Sequence, residues 1–92
     1  MAYYCYILKC VDGTYYAGWS TDPERRLKQH NAGQGARYTR SRRPSMLVYT
    51  EEHPTRSAAM QREISLKRLT RQQKQTLINQ YSIIKSDRKP DL

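Results

Sequence analysis

The sequence lacks any apolar run long enough to span a bilayer. It also lacks the charged-then-apolar leader, with its small-residue cleavage site, that is typical of a secretory signal. We therefore expect a soluble, cytoplasmic protein without a membrane partner. No internal repeat or low-complexity tract interrupts the 92 residues, so we expect one domain over residues 1–81. Residues 82–92 are expected to form a frayed C-terminal tail.

Cysteine is scarce, with only Cys5 and Cys10 in the chain. If both lie on one strand, the extended chain between them spans roughly 16 Å, which is far beyond the Cα separation of ~7 Å that a disulfide tolerates. An intramolecular bridge is therefore excluded. No further His or Cys lies near either thiol in the sequence, so we expect both to pack in the core rather than to bind a metal.

Acidic residues are also few, with 8 Asp and Glu against 17 Lys and Arg, which gives a net charge of +9. Such an excess favours a polyanion partner, because binding releases condensed counterions. The basic residues are spread over predicted elements and loops rather than along one amphipathic helix, so nucleic acid is a better partner than an acidic membrane surface. The alternative is a basic protein without a specific ligand.

Two β-prone runs, residues 3–10 and 14–20, flank the dipeptide Asp12-Gly13. Asp-Gly between two such runs is among the strongest short signals for a β-hairpin. The sequence therefore predicts that the chain begins with two paired antiparallel strands, and that these carry most of its tyrosines.

The length of the hairpin loop decides whether Tyr6 and Tyr16 meet. A two-residue loop would put them on opposite faces of the sheet, because side chains alternate along a strand. A three-residue loop, with Gly13 as a left-handed bulge residue, would pair Cys10 with Thr14 and put both phenols on one face. We adopt the second register.

A polar helix is predicted after the hairpin. Asp22 suits its N-cap, Pro23 its first position and Gly33 its left-handed end. Arg26 and His30 are four residues apart and therefore share a face. Alternatively, Arg26 only pairs with Asp22, and His30 only complements the helix C-terminus.

Residues 34–44 predict a flexible basic loop, because glycines precede a run that holds four arginines and a tyrosine. Guanidinium groups match phosphate geometry, and an interleaved aromatic ring can stack on a base. Five residues are therefore candidates for nucleic-acid binding, unless the loop is simply solvated: Arg37, Tyr38, Arg40, Arg42 and Arg43.

The remaining chain predicts a third strand over residues 45–51, a helix over residues 56–69 and a last helix. The run 70–73 fits a capping box at the start of that last helix. In the helix 56–69, the most informative residue is Glu63.

Glu63 falls inside the apolar stripe that Ala59, Met60 and Ile64 mark on its helix. A carboxylate on an inward face is costly unless a cation or metal compensates it. A salt bridge to Lys67, one helical turn later, is the purely structural interpretation.

Together, the chain offers a set of side chains that suits phosphodiester hydrolysis. Glu63 can hold a divalent cation, and Arg26 can neutralise charge that develops on the phosphate. Tyr6, Tyr16 or His30 can manage the proton of an attacking water. A phenol has a reference pKa of about 10, so a metal and nearby cations must lower it for this task.

The motifs 5–7 (Cys-Tyr-Ile), 16–18 (Tyr-Ala-Gly) and 24–27 (Glu-Arg-Arg-Leu), followed by His30, resemble the GIY-YIG nuclease superfamily. The closer likeness is to its small single-domain bacterial members of uncharacterised role. It extends through Tyr38, Pro44 and Glu63 and implies an α+β fold, a three-stranded antiparallel sheet flanked by about three helices.

The resemblance also implies a DNA endonuclease that uses one Mg²⁺ or Mn²⁺ ion and acts in DNA repair or recombination. By position, it makes Glu63 the metal ligand and lets Lys67 join the nucleic-acid contacts. The implied catalytic residues are Tyr6, Tyr16, Arg26 and His30.

Three departures from the family pattern affect this interpretation. Trp19 stands where several relatives carry lysine, and the asparagine that many members carry after the glutamate is represented only by Gln75 or the late Asn79. We also expect no added DNA-binding domain, so specificity would have to be weak, based on DNA shape or supplied by a protein partner.

Two other functions stay open. A non-catalytic nucleic-acid-binding module would keep the fold and the arginines but would tolerate loss of Glu63. A small basic protein of RNA assemblies would show salt-sensitive RNA binding in which Arg26 matters less than Arg40.

Overall fold

The computed structural model describes residues 2–87, which form an α+β fold with one antiparallel sheet. The strand order is β2-β1-β3, so the N-terminal strand lies in the centre. The predicted fold class is confirmed, with four helices in place of about three. The elements in chain order are β1 (Tyr3–Lys9), β2 (Tyr15–Ser20), α1 (Pro23–Asn31), α2 (Arg37–Arg40), β3 (Met46–His53), α3 (Arg56–Arg68) and α4 (Arg71–Asp87).

The β1–β2 hairpin has the three-residue loop that the sequence analysis adopted. The amide of Cys10 donates to the Thr14 carbonyl (2.8 Å), and Leu8 lies opposite Tyr16. Gly13 has a φ of 84°, a left-handed conformation that favours glycine. The predicted register is therefore confirmed, and the even-numbered residues of both strands share a face.

Short-range signals also set the helix ends. The Asp22 side chain accepts from the Arg25 amide (3.1 Å) and begins α1, and Gly33 follows its end with a φ of 82°. Thr70 and Gln73 bond each other reciprocally at the start of α4, as the capping box predicts (2.9 and 3.1 Å).

The two faces of β1 are buried against different layers. Cys5 and Ile7 join a core cluster with Ala59 and Leu66 of α3. Tyr6 is buried on the other face of the strand, and it contacts α1. The central strand thus carries both the main core and the floor of the candidate site.

The apolar stripe predicted for α3 is wrong at two of its positions. Met60 and Ile64 are 42% and 52% exposed, whereas Ala59 and Leu66 are fully buried. The inward face also includes Arg62, which stays half-buried because it pairs with a carboxylate of β3. The inward residues Ala59, Arg62 and Leu66 still follow one another at intervals of three and four, but the middle one is an arginine and not an apolar residue.

The predicted flexible loop is instead ordered around α2, a single helical turn. Thr39 within it is fully buried, which anchors the turn to the rest of the domain. At the C-terminus, α4 continues to Asp87 and so passes the expected boundary at residue 81, whereas residues 88–92 of the expected tail lie outside the described residues. No helix among residues 2–87 is long and apolar enough to cross a membrane.

Candidate active site

A cleft of about 440 Å³ opens where β1, β2, α1 and α3 meet. The hairpin register puts two tyrosines on its floor, α1 contributes an arginine, and α3 contributes a carboxylate. Four residues that the sequence analysis singled out therefore line one cavity. The lining consists of Tyr6, Tyr16, Gly18, Trp19, Ser20, Thr21, Arg26 and Glu63.

Tyr6 is the buried phenol of this cleft, with 2% of the residue exposed. Its Oη lies 3.1 Å from Nε2 of His30, which stands directly behind it. The phenol passes so close over Gly18 that a Cβ at that position would lie 2.5 Å from Oη. Gly18 therefore makes room for the ring, which is the reason for a glycine on β2.

His30 is fully buried beneath both tyrosines, at ring-centroid distances of 6.1 Å from Tyr6 and 5.4 Å from Tyr16. Its Nδ1 lies 2.6 Å from Oγ1 of Thr39. A Cβ at Gly35 would lie 2.2 Å from Nδ1, so this glycine lets the backbone pass against the ring. The interpretation of His30 as a mere helix-end charge is wrong, because its ring has two buried partners.

Burial is the main influence on the pKa values of Tyr6 and His30. It raises the pKa of Tyr6 to about 12, although a hydrogen bond and the charge of Arg26 act in the opposite direction. Burial, assisted by the charge of Arg26, lowers the pKa of His30 to about 4. At neutral pH both groups are therefore uncharged, and the lowered phenol pKa that hydrolysis was expected to need is not a property of the protein alone.

Arg26 projects from α1 into the cleft and contacts the Tyr6 phenol. Its Nη1 donates to Oε1 of Gln29 (2.9 Å), so its side chain is not held by Asp22. The alternative in which Arg26 only pairs with Asp22 is therefore wrong. The guanidinium lies where it can approach a phosphate oxygen next to the phenol.

Glu63 is the carboxylate of the cleft, and 22% of its side chain is exposed. Nζ of Lys67 lies 3.9 Å from its Oε1, a loose ion pair one helical turn away. The same ammonium lies 5.6 Å from the centre of the Tyr16 ring. Because this pairing is loose and half-exposed, it leaves carboxylate oxygens accessible to a cation in the cleft.

A second cleft, of about 580 Å³, follows the basic segment (residues 37–43). Tyr38 stacks on Tyr16 at a centroid distance of 6.0 Å and an interplanar angle of 23°. The guanidinium of Arg42 covers the Tyr38 ring at 4.0 Å. This stack joins the basic segment to the first cleft.

The arginines of the basic segment differ in their roles. Arg42 donates to Oδ2 of Asp12 in the hairpin loop (3.1 Å), and Nε of Arg43 donates to the Arg40 carbonyl (2.9 Å). Both therefore help to fix the segment as well as to charge it. Arg37, Arg40 and Arg43 are exposed, and of these three Arg37 and Arg40 line the second cleft.

The expectation that Cys5 packs in the core is confirmed, although two groups that could ligate a metal lie near it in space. Its Sγ lies within 4.8 Å of ligand atoms of Glu51 and His53, because Glu51 pairs directly with Cys5 across the sheet. Each group already has a protein partner, however. Cys5 donates to the Ala59 carbonyl (3.0 Å), and Glu51 pairs with His53 (2.6 Å) and Arg62 (2.9 Å). We therefore assign this cluster to the packing of β3 on α3.

Two of the departures noted in the sequence have defined places. Trp19 lines the first cleft, with Arg56 at 5.4 Å from its ring centre. Gln75 accepts from the Tyr15 hydroxyl and donates to Asn79 (3.0 Å). Neither amide lines the cleft, so neither stands in there for the expected asparagine.

Residues 2–77 match the GIY-YIG catalytic domain. The chain belongs to this family. The matched range includes Tyr6, Tyr16 and Gly18, which line the first cleft. The nuclease-type fold of the family is thus established for this chain.

This GIY-YIG domain is similar to proteins of the UPF0213 group. One from Enterococcus faecalis is 46% identical over 82 residues, which covers 87% of this chain and 93% of that protein. One from Halobacterium salinarum is 49% identical over 75 residues, with 82% and 97% covered. The solution NMR structure of a UPF0213 protein from Bacillus halodurans aligns with a TM-score of 0.55 at 46% identity, and covers 86% of this chain and 84% of that one.

Proposed function

We propose that this protein is a divalent-metal-dependent endonuclease that hydrolyses phosphodiester bonds of DNA. One observation carries the proposal, namely that two phenols, a guanidinium and a carboxylate from four separate elements converge on one cleft. A role in repair or recombination is part of the proposal, and it rests on the nuclease-type family.

The donor set of the cleft fits a single Mg²⁺ or Mn²⁺ ion. Such hard cations are commonly bound through one or two carboxylates, together with water and substrate phosphates, and Glu63 supplies one accessible carboxylate. When bound, the ion would polarise the phosphate and stabilise the leaving oxygen.

Arg26 stabilises the charge that develops on the phosphate in this mechanism. Its guanidinium is always protonated, and it lies beside the Tyr6 phenol, where the scissile phosphate would sit. Donors that are already oriented toward the developing charge give the largest electrostatic contribution, because they need no reorganisation.

Tyr6 receives the proton of the attacking water, and His30 supports it from behind. The phenol is protonated at rest because its pKa is about 12, so it can act as a base only if its own proton has an acceptor. The ring of His30 lies in reach of that proton at 3.1 Å, but its pKa of about 4 means that it can accept the proton only when the charge of a bound phosphate stabilises the imidazolium. Tyr16 packs edge-on against His30 and lies beside Tyr6 on the floor of the cleft.

The basic segment and Lys67 would hold the DNA backbone. Arg37 and Arg40 are exposed beside the second cleft, and the residue Tyr38 is 38% exposed. These groups recognise phosphate and base faces without reading sequence. Specificity for a site would then come from the shape of the DNA or from a protein partner.

The experiment is cleavage of supercoiled plasmid, branched DNA and single-stranded DNA with Mg²⁺, Mn²⁺ or EDTA. Glu63→Gln is the decisive variant, because it keeps the volume and removes the charge. Glu52→Gln is its matched control, since Glu52 is exposed on β3 and outside the cleft. Metal-dependent cutting that disappears only in Glu63→Gln supports the proposal.

The opposite result would identify a binding module. If neither wild type nor variant cuts any substrate, while both bind DNA with the same salt dependence, the cleft is not an active site. Preferential binding of RNA under those conditions would point to an RNA assembly instead.

A further inference from the structure

Thr39 is the buried residue of an otherwise exposed basic segment. None of the residue is accessible, whereas its neighbours Tyr38 and Arg40 face solvent. Its hydroxyl oxygen lies 2.6 Å from Nδ1 of His30 and 2.9 Å from the carbonyl oxygen of Ala36. The sequence pattern did not distinguish it, because a threonine among arginines suggests solvent exposure.

The direction of these two hydrogen bonds follows from the number of protons. A hydroxyl has one hydrogen, and the Ala36 carbonyl can only accept, so the Thr39 hydrogen goes to Ala36. If that hydrogen pointed to His30 instead, two oxygens would face each other at 2.9 Å with no hydrogen between them. The arrangement that pairs every one of these atoms therefore has Oγ1 of Thr39 accepting from an Nδ1–H group of His30.

Counting hydrogens also gives the protonation of the second ring nitrogen of His30, Nε2. A neutral imidazole has one N–H group, and burial keeps His30 neutral near pH 7. With that hydrogen on Nδ1, Nε2 is a bare acceptor 3.1 Å from the Tyr6 hydroxyl. Hydrogen bonds thus run in one direction, from Tyr6 to His30, to Thr39 and to the Ala36 carbonyl.

We propose that Thr39 is a positioning residue that holds His30 in the Nδ1–H tautomer and thereby makes Nε2 the acceptor of the Tyr6 proton. This inference rests on the proposed nuclease function and deepens it. As the water O–H bond breaks, its proton passes to Oη of Tyr6 while the Tyr6 proton passes to Nε2. His30 becomes an imidazolium, the hydroxide bonds to phosphorus, the bond to the leaving oxygen breaks, and solvent protonates that oxygen.

The position of Thr39 in the basic segment also couples the proton transfer from Tyr6 to His30 to DNA binding. Tyr38 and Arg40 are candidate DNA contacts, and the residue between them sets the His30 tautomer. Because α2 is a single turn, a movement of the segment that withdraws Thr39 would release Nδ1. That proton transfer therefore depends on the docked position of the basic segment.

The test is long-range ¹H–¹⁵N NMR of the histidine rings at neutral pH in wild type, Thr39→Val and Thr39→Ser. His53, the other histidine, is the internal reference, because it contacts Glu51 and not Thr39. We expect a protonated Nδ1 and an unprotonated Nε2 for His30 in wild type and Thr39→Ser. Thr39→Val should shift the hydrogen to Nε2 or give a mixture. Wild-type His30 protonated on Nε2, or a tautomer unchanged in Thr39→Val, would overturn the proposal.

The NMR result does not depend on turnover, so it separates this proposal from failure of the nuclease proposal. Where DNA is cut, Thr39→Val should lower the cleavage rate by about 10- to 100-fold, within the range of a lost proton transfer, and leave DNA affinity unchanged. Thr39→Ser should restore the rate. Thr76→Val, which removes an exposed helix hydroxyl, is the control, and an equal loss in that variant would contradict a specific role for Thr39.

Discussion

The Tyr6 phenol lies so close to the backbone of Gly18 that β2 can carry no side chain there. A Cβ would meet Oη at 2.5 Å and Cζ at 2.6 Å, both far inside van der Waals contact. The glycine of the motif is therefore a steric partner of its tyrosine, and not only a flexible position. Because Gly18 lies opposite Tyr6 in the hairpin, the register of the two strands determines where the phenol lies in the cleft.

Gly18→Ala should therefore disable the site and strain the fold. The new methyl must displace a buried ring, which costs about 1 to 3 kcal/mol of stability, and the bond from Tyr6 to His30 should be lost with it. We expect cleavage to fall by at least about 100-fold, as measured in the plasmid assay, with stability followed by urea denaturation.

Tyr6→Phe is the matched comparison for that variant. It removes the hydroxyl without forcing the ring to move, so we expect loss of cleavage with a much smaller loss of stability. Gly18→Ala that cuts DNA at the wild-type rate would show that the phenol is not held in its working position by this contact.

Stability should depend on pH through His30. Its folded pKa of about 4 lies below the ordinary value of 6.5, so between these values the unfolded chain binds the proton more readily. The free energy of unfolding should therefore decrease as pH falls from about 6.5 to 4, and this contribution should change no further below 4.

His30→Gln provides the difference measurement. Glutamine does not titrate, and the carboxylates and His53 are common to both proteins, so their contributions cancel. Urea denaturation at several pH values should give a wild-type curve that falls more steeply than that of the variant. Parallel curves would mean that His30 keeps its ordinary pKa and is not desolvated.

Binding of DNA should depend on Arg37 and Arg40, the exposed arginines of the basic segment that line the second cleft. Arg37→Gln with Arg40→Gln should weaken binding and reduce the slope of log K against log salt by about 1 to 2, since each phosphate contact contributes about one unit. Fluorescence anisotropy of labelled DNA over a salt series measures both quantities.

The matched control for that pair is Arg25→Gln with Arg68→Gln. It changes the net charge equally, but both residues are exposed on α1 and α3 and neither lines a described cleft of the site. Equal losses of affinity in the two double variants would mean that DNA responds to net charge alone and not to the basic segment.

The parts of this fold that were predictable from sequence are set by neighbours along the chain. Asp12-Gly13 determines the hairpin loop, Asp22 caps α1, and Thr70 with Gln73 begins α4. Once the register is known, the two tyrosines must share a face, and the family pattern supplies the arginine and the glutamate. These features need no knowledge of tertiary packing.

The parts that were not predictable arise from contacts between distant segments. Thr39 and Gly35 lie against His30 only because the basic segment folds back on α1, and nothing in their local sequence shows this. Cys5 meets Glu51 only through the pairing of β1 with β3. The position of Arg62 on the buried face of α3 was likewise not predicted, because hydrophobic periodicity identifies a buried helix face by its apolar residues.

Arg62 should stabilise the fold through Glu51, since Nε lies 2.9 Å from a carboxylate oxygen on a half-buried side chain. Burial by itself raises the pKa of Glu51, but hydrogen bonds from Tyr49, Arg62 and His53 outweigh it and hold the pKa below its usual value. Arg62→Met leaves that charge with fewer partners, so we expect a loss of about 1 to 2 kcal/mol in the free energy of unfolding.

Two further variants decide whether that loss comes from the ion pair. Arg68→Met, on an exposed face of the same helix, should change stability by less than about 0.5 kcal/mol. Adding Glu51→Gln to Arg62→Met should recover part of the loss, because removing both partners of a pair costs less than leaving one charge unpaired. If the losses in unfolding free energy of Arg62→Met and Glu51→Gln are instead fully additive in urea denaturation, the ion pair does not stabilise the fold. Arg62 would then act through the packing of its aliphatic stem on α3.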